Sequence, residues 1–148
     1  MALLGSKKLA DDLAGQFVRS YFGLREDLVG RAPNVVIVVA RCSAHKQLLG
    51  IRFQETDPNR WEADWAFPLK ENTARRQGYD RGEIAGRFVF AGGYPGCPYC
   101  RAPSIFKCGR CGKVACWDGV QRTVVCPWCG NGATLSGTIE SMAAGGDR

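Results

Sequence analysis

Residues 106–130, FKCGRCGKVACWDGVQRTVVCPWCG, contain two Cys-x-x-Cys pairs. Cys108 and Cys111 form the first pair, Cys126 and Cys129 form the second, and 14 residues separate them. A segment of this length suits a β-hairpin that brings the two pairs face to face. Four thiolates in that arrangement form a tetrahedral metal site, and the glycine after each pair lets the turn close around the sulfurs. The pattern predicts a four-cysteine zinc site.

A third pair, Cys97-Pro98-Tyr99-Cys100, has the spacing of a redox dithiol as well as of half a zinc site. A redox dithiol lies at a helix N-terminus, where the helix dipole lowers the pKa of the nucleophilic thiol. Here Arg101, Ala102 and Pro103 follow the pair, and no helical pattern begins. No strand–helix–strand pattern surrounds the pair either. The context therefore favours a metal ligand pair over a reactive dithiol.

This third pair needs two further ligands. Residues 42–45, CSAH, supply Cys42 and His45, the only histidine of the chain, in a short turn between two predicted strands. We therefore predict a second zinc site formed by Cys42, His45, Cys97 and Cys100. Two alternatives remain open from spacing: Cys116 can replace one of these ligands, and the half-sites can be exchanged between the two ions.

The composition is compatible with this interpretation. A chain of 148 residues is one domain or two small ones, and small cores are often reinforced by metals or disulfides. No export signal or membrane-length apolar segment is recognisable, and the longest apolar run, residues 35–40, suits a buried strand. We therefore expect a cytoplasmic protein with reduced thiols, in which metal binding replaces disulfides.

The formal net charge of +6 treats every cysteine as neutral. A Zn²⁺ ion with four thiolates carries about −2, and one with three thiolates and a histidine about −1, so the loaded protein would carry about +3. Residues 1–96 contain 14 Lys/Arg and 11 Asp/Glu, and residues 97–148 contain 6 and 3. Neither part is strongly basic, which disfavours a primary role in nucleic-acid binding.

The hydrophobic pattern predicts a small β-rich (α+β) fold. Residues 6–24 have the four-residue apolar spacing of an amphipathic helix, within an N-terminal segment of residues 1–30. Residues 31–94 contain four strand-like runs and one short helix near 70–77, which predicts an antiparallel β subdomain. Residues 95–135 form the predicted zinc ribbon, and the small, polar residues 136–148 a frayed tail.

One strand-like run, RWEADWAFPL, alternates apolar and polar residues. Strict alternation places Trp61, Ala63, Trp65 and Phe67 on one face of the predicted strand. We therefore expect both tryptophans in the core, where their large apolar rings contribute most to stability.

No pattern of catalytic residues accompanies the predicted metal sites. Catalytic zinc keeps an open coordination position and a nearby base, whereas these ligands form closed, sulfur-rich sets. PGCPYC is half of the zinc-deaminase pattern, but Lys46 and Gln47 follow His45 where that pattern requires a glutamate. We expect a protein that is not an enzyme, with two structural zinc ions.

Residues 95–131 resemble the C-terminal metal-binding domain of TerY-type proteins of bacterial tellurite-resistance systems. The shared features are a CPxC pair, a cysteine pair before Gly-Lys, one further cysteine and a closing CPWCG. The resemblance covers about a quarter of the chain and implies a zinc ribbon with about eight chelators, one fewer than the nine present here. It also implies a cytoplasmic adaptor that works beside kinases and phosphatases in stress or phage defence. The sequence contains no DxSxS metal-adhesion motif, so we expect the von Willebrand factor A domain of that family to be absent from it.

The leading hypothesis is thus a zinc-stabilised protein-interaction module, with exposed aromatic surface at Trp117 or Trp128 as a contact. The partner can be a von Willebrand factor A domain, a kinase or a phosphatase. The alternative is a nucleic-acid-binding zinc ribbon that uses the cations around the cysteine pairs, Arg101, Lys107, Arg110, Lys113 and Arg122. A redox or zinc-sensing switch is a third class, and it requires a labile thiolate.

Overall fold

The computed structural model describes residues 34–146. They form ten strands and one helix: β1 (Val35–Arg41), β2 (Leu48–Asp57), β3 (Arg60–Pro68), α1 (Glu71–Gln77), β4 (Gly82–Ala85), β5 (Arg87–Phe90), β6 (Ser104–Lys107), β7 (Val114–Trp117), β8 (Thr123–Val125), β9 (Gly132–Thr134) and β10 (Ser141–Gly146). The predicted β-rich fold with one short helix is confirmed. The amphipathic helix predicted for residues 6–24 lies outside the described residues.

Strand β1 is the centre of an eight-stranded sheet. Along one edge it pairs antiparallel with β2 over its whole length, and β3 and β5 continue the sheet on that side. Its other edge is shared by two strands: β10 pairs antiparallel at Val36 and Ile37, and β7 pairs parallel at Ala40 and Arg41. Strand β4 extends the β10 branch, and β6 extends the β7 branch. The sheet therefore forks at the middle of β1.

Most pairings in the sheet are antiparallel, as predicted, with two parallel exceptions. These are β1 with β7 and β3 with β5. Strands β8 and β9 form a separate two-stranded ribbon. Strands β6 and β7, within the predicted zinc ribbon, thus lie in the same sheet as β1–β3 of the predicted antiparallel β subdomain. The sequence had predicted a boundary between these two segments.

Both faces of the sheet bury apolar side chains, as the alternation along β1 requires. The larger cluster contains Val38, Ala40, Cys42, Leu49, Ile51, Phe53, Trp61, Ala63, Ala66, Ile84, Cys97, Ile105, Val114, Cys116, Met142 and Ala144. The smaller cluster, on the opposite face, contains Ile37, Leu48, Leu69 and Tyr79. Three cysteines therefore lie inside the main core.

A bulge in β3 corrects the prediction that Trp61 and Trp65 share one face. Trp61 is 7% exposed, whereas Trp65 is 53% exposed. Opposite β2, Arg52 pairs with Trp65 and the next residue, Phe53, pairs with Ala63, so Asp64 is an extra residue in β3. One extra residue reverses the alternation beyond it. Asp64 accepts a hydrogen bond from Arg52 at 2.7 Å, which fixes the bulge.

Helix α1 agrees with the prediction of a short helix near residues 70–77. It ends at Gly78, whose φ of 68° is in the left-handed region that glycine adopts readily. The Gly78 amide donates to the carbonyl of Ala74 at 3.0 Å and so completes the C-terminal cap. Within residues 34–146, no helix has the length and apolarity needed to span a lipid bilayer.

The segment expected to be a frayed tail contains a core strand instead. Strand β10 pairs with both β1 and β4, and Met142 is fully buried in the main cluster. The run SMAAGG is short and rich in small residues, so its composition carries no strand signal. Small side chains are needed here because a Cβ at Gly145 would lie 2.5 Å from the Cα of Tyr79.

We expect Met142→Ala to lower the free energy of unfolding by about 2–5 kcal/mol, because it removes a buried side chain and leaves a cavity. Urea denaturation of the metal-loaded protein measures the change. Ser136→Ala, at an exposed position outside β10, is the control and should leave the midpoint unchanged. Equal midpoints for the two variants would mean that residues 136–148 are a dispensable tail.

Candidate metal centres

Four segments of the chain form the same six-residue turn, and each begins at a cysteine. In each, the amide of the first residue donates to the carbonyl of the sixth, and the amide of the fifth donates to the carbonyl of the first, all at 2.8–2.9 Å. We call them cysteine turns 1 to 4: residues 42–47, 97–102, 108–113 and 126–131. Paired hydrogen bonds of this kind give all four segments a common backbone shape.

The fifth residue of every cysteine turn has a left-handed backbone. Gly112 and Gly130 fill this position in turns 3 and 4, with φ of 76° and 80°. Lys46 and Arg101 fill it in turns 1 and 2, with φ of 64° and 68°. A non-glycine residue pays about 1–2 kcal/mol for this conformation, so the surrounding contacts must hold turns 1 and 2 in place.

Backbone amides point at the first sulfur of each turn. In turns 2, 3 and 4 the amide two residues further on, at Tyr99, Arg110 and Trp128, lies 3.3–3.4 Å from Sγ. In turn 1 the amide of His45 lies 3.3 Å from Cys42 Sγ. Donors aimed at sulfur stabilise the thiolate, which is the form that binds metals.

The first group of ligands, which we call the inner cluster, contains Cys42, Cys97, Cys100 and Cys116. Their sulfur atoms all lie within 4.8 Å of one another, and those of Cys100 and Cys116 are 3.5 Å apart. Three of the four cysteines are buried and Cys100 is half-buried. The inner cluster can hold a metal ion within the main core.

The second group, the outer cluster, contains Cys108, Cys111, Cys126 and Cys129. Its sulfur pairs Cys108–Cys129 and Cys111–Cys126 are each 3.7 Å apart. Cys129 is exposed, in contrast to every member of the inner cluster. The outer cluster can hold a second metal ion, at the surface.

The structure brings together seven of the eight predicted ligands, in the predicted groups. The exception is His45, which is exposed and belongs to neither cluster. Cys116 takes its place, as in one of the alternatives that spacing left open. The physical reason is strand register: Ala40 and Arg41 of β1 lie beside Val114 and Ala115 of β7, so the next residues, Cys42 and Cys116, meet.

Ser43 fixes Cys116 at the inner cluster. Its amide donates to Cys116 Sγ at 3.2 Å, and its hydroxyl donates to the Cys116 carbonyl at 2.7 Å. Spacing alone left this ligand as an alternative because Cys116 has no partner three residues away. The available signal was its position in VACW, a buried strand that follows directly after cysteine turn 3.

Each cluster has one cysteine that ionises easily. Hydrogen bonds from the amides of Cys111 and Arg110 lower the pKa of Cys108 to about 6, although burial opposes them. Burial raises the pKa of Cys42, but hydrogen bonds from the amides of His45 and Ala44 and from the Cys100 and Cys97 side chains together outweigh it, so the net shift of this pKa is downward. Burial raises the pKa of Cys97 and of Cys111 to about 11 each. In each cluster the hydrogen bonds therefore favour ionisation of one cysteine, Cys42 or Cys108.

Two aromatic side chains connect the cysteine turns to the sheet. Tyr99 of turn 2 donates its hydroxyl to the Leu48 carbonyl at 2.6 Å. Trp128 of turn 4 donates its ring N–H to the Val114 carbonyl at 2.8 Å. The Trp128 ring also contacts two cations, with Arg41 at 4.3 Å and Lys113 at 4.5 Å from its centroid. Trp128 thus has a structural use that the sequence did not predict.

We expect Trp128→Ala to lower the free energy of unfolding by about 3 kcal/mol, since it removes ring packing, two cation–π contacts and a hydrogen bond. Trp128→Phe keeps a ring and should cost about 1 kcal/mol, from the hydrogen bond that Val114 loses. Chemical denaturation measures both. Trp65→Ala, at an exposed tryptophan, is the control, and an equal cost there would contradict a structural role for Trp128.

The sequence matches no protein-family model, no curated protein and no solved structure. The two four-cysteine groups are the features of residues 34–146 that bear most directly on function.

Proposed function

We propose that the chain is a non-catalytic zinc-binding module that mediates protein–protein interaction. The observation that carries this proposal is the pair of closed four-cysteine clusters, neither of which includes a histidine or a carboxylate. Four protein ligands fill a tetrahedral site and leave no position for water or substrate, which is typical of structural zinc.

The sulfur geometry supports zinc as the metal. Four sulfurs about 2.3 Å from a central ion lie about 3.8 Å from one another in a tetrahedron. The Cys100–Cys116 sulfur pair of the inner cluster, at 3.5 Å, and the two sulfur pairs of the outer cluster named above, at 3.7 Å each, are near this spacing. Thiolate ligands also select zinc over hard cations such as Mg²⁺ and Ca²⁺.

Each cluster draws its cysteines from separate segments of the chain, which supports a structural role for the metal ions. The inner cluster joins the end of β1, cysteine turn 2 and strand β7, which are far apart in the sequence. The outer cluster joins turns 3 and 4 across the β7–β8 segment. Ions that crosslink such distant segments contribute directly to folding free energy. With both sites filled, the formal charge falls from +6 to about +2.

The resemblance of residues 95–131 to the TerY-type metal-binding domain extends the proposal. On the basis of that resemblance we propose an adaptor of a bacterial stress or phage-defence system of the tellurite-resistance type, in the cytoplasm. By that resemblance the partner is a von Willebrand factor A domain, a kinase or a phosphatase.

A groove beside the outer cluster is the surface that we assign to the partner. Its cavity of about 880 Å³ is lined by Lys107, Arg110, Trp117, Arg122 and Glu140, among others. Within residues 34–146, the guanidinium groups of Arg110 and Arg122 have no ion-pair partner. Three cations against one carboxylate favour an acidic segment of a partner protein.

The same groove favours nucleic acid as a second candidate. Arg110 and Arg122 can contact phosphates, and Trp117 is half-buried at the groove wall, where a base can stack on it. The four thiolates of the outer cluster lie next to these cations, and this opposes a nucleic acid, which binds mainly through its phosphate charge, more than a protein segment, which also buries apolar surface. Protein therefore remains the leading proposal.

Zinc release tests the two proposed sites. We expect two zinc ions per chain, and two phases of release to an excess of chelator, because Cys129 is exposed whereas the inner cluster is largely buried. Cys129→Ser should lack the fast phase and keep the slow one. Elemental analysis and a colorimetric zinc indicator measure both. A metal-free wild type, or loss of the slow phase in Cys129→Ser, would contradict the assignment.

A charge-matched pair of variants tests the groove. Arg110→Ala/Arg122→Ala removes two cations from the groove, and Arg76→Ala/Arg87→Ala removes two exposed cations elsewhere. With zinc-loaded bait and nuclease-treated lysate of the source cells, we expect a stoichiometric protein partner that the first variant loses and the second retains.

Fluorescence anisotropy with labelled single-stranded DNA and RNA tests the second candidate on the same variants. Binding that weakens with salt by a log–log slope of about −1 to −2, and that only the groove variant loses, would replace the protein-interaction proposal with the nucleic-acid one. No binding at low salt would exclude the second candidate.

A further inference from the structure

His45 occupies the ligand position of cysteine turn 1. In turns 2, 3 and 4 the fourth residue is a clustered cysteine, Cys100, Cys111 or Cys129 respectively, and in turn 1 the fourth residue is His45. The paired hydrogen bonds that define the turn have the same lengths in all four. The backbone of His45 therefore has the same position in its turn as the backbones of the ligands Cys100, Cys111 and Cys129 have in theirs.

The amide contacts around the first sulfur support this equivalence. In every turn one backbone amide lies 3.3–3.4 Å from the first sulfur. It is the amide of the third residue in turns 2, 3 and 4, and that of the fourth residue, His45, in turn 1. His45 is thus next to the inner cluster even though its side chain is exposed.

The ligand that fills the fourth position of the inner cluster comes from outside the turn. Cys116 lies on β7, opposite Ile105 of β6, and reaches the cluster through its contacts with Ser43. The outer cluster has no such extra ligand, because turns 3 and 4 supply both of their cysteines to it. The inner cluster therefore has five candidate ligands for four positions.

We propose that His45 is an alternative fourth ligand of the inner cluster, and that it coordinates the ion when the Cys116 thiolate is lost. This inference rests on the proposed zinc function. Imidazole is a common zinc ligand, and Cys-x-x-His turns hold zinc in the same way as Cys-x-x-Cys turns. The ion then keeps four protein ligands, drawn from turns 1 and 2 alone.

The two ligand sets differ in charge and in what they connect. Four thiolates and Zn²⁺ carry about −2, whereas three thiolates, one neutral imidazole and Zn²⁺ carry about −1. The first set attaches β7 to the ion, and the second releases it. The exchange would keep the ion in the core, but the ion would no longer link β7 to cysteine turn 1.

Cobalt substitution tests this proposal, because the Co²⁺ absorption spectrum distinguishes four sulfurs from three sulfurs and one nitrogen. The wild type and His45→Ala should each bind two ions with four-sulfur spectra. Cys116→Ala should still bind two ions, one of them with a sulfur–nitrogen spectrum. Adding His45→Ala to Cys116→Ala should weaken Co²⁺ binding at the inner cluster by about 100-fold and abolish that spectrum.

Cys129→Ala is the matched control, since it also removes one cysteine from a four-cysteine cluster. The chain has a single histidine, in cysteine turn 1, so no imidazole is available to replace Cys129. We therefore expect no sulfur–nitrogen spectrum from the outer cluster of this variant, whether or not that cluster keeps its ion. Cys116→Ser repeats the test at the same position in case Cys116→Ala does not fold.

Two results would overturn the inference. The first is that Cys116→Ala and the double variant Cys116→Ala/His45→Ala bind Co²⁺ with the same affinity and give the same spectrum. The second is loss of the inner ion in His45→Ala alone, which would make His45 a primary ligand. Failure of the zinc function is distinguishable from both, because the wild type would then bind no Co²⁺ with a four-sulfur spectrum.

Discussion

The parallel pairing of β1 with β7 is the contact on which both candidate metal centres depend. It places Cys116 beside Cys42 at the end of the central strand, and so completes the inner cluster inside the core. It also positions the start of β7, directly after cysteine turn 3, where Val114 receives the hydrogen bond from Trp128 of turn 4. Without this pairing, the sheet would not fork, the inner cluster would lack Cys116, and the outer cluster would lose its strand connection to β1.

Local spacing predicted most of the site because each cysteine turn is a local structure. A Cys-x-x-Cys pair needs only six residues and its own backbone hydrogen bonds, so its signal lies entirely in the sequence. The choice between His45 and Cys116 is different, since it depends on the register of two strands more than 70 residues apart. Nine candidate ligands compete for eight positions, and only the tertiary structure assigns the fourth position of the inner cluster.

The errors in the fold have equally specific causes. Trp65 faces outward because one extra residue, Asp64, reverses the alternation of β3, and no local signal marks that bulge. Strand β10 was missed because SMAAGG has the composition of a loop. Its small residues are required by close contacts, such as the approach of Gly145 to Tyr79, which only the folded chain reveals. The β-rich apolar runs, by contrast, correctly predicted β1 and β2.

The two clusters differ in burial, and under the proposed function this difference gives the inner ion a role in the core and the outer ion a role at the binding surface. The inner cluster lies among the core residues of the sheet, so an ion there stabilises the same contacts that position its ligands. The outer cluster is near the surface, and Cys108 and Cys111 line the groove that we assign to a partner. Loss of the inner ion should therefore disrupt the fold, whereas loss of the outer ion should first disorder the binding surface. A module with this arrangement can change its partner contact while its core remains folded.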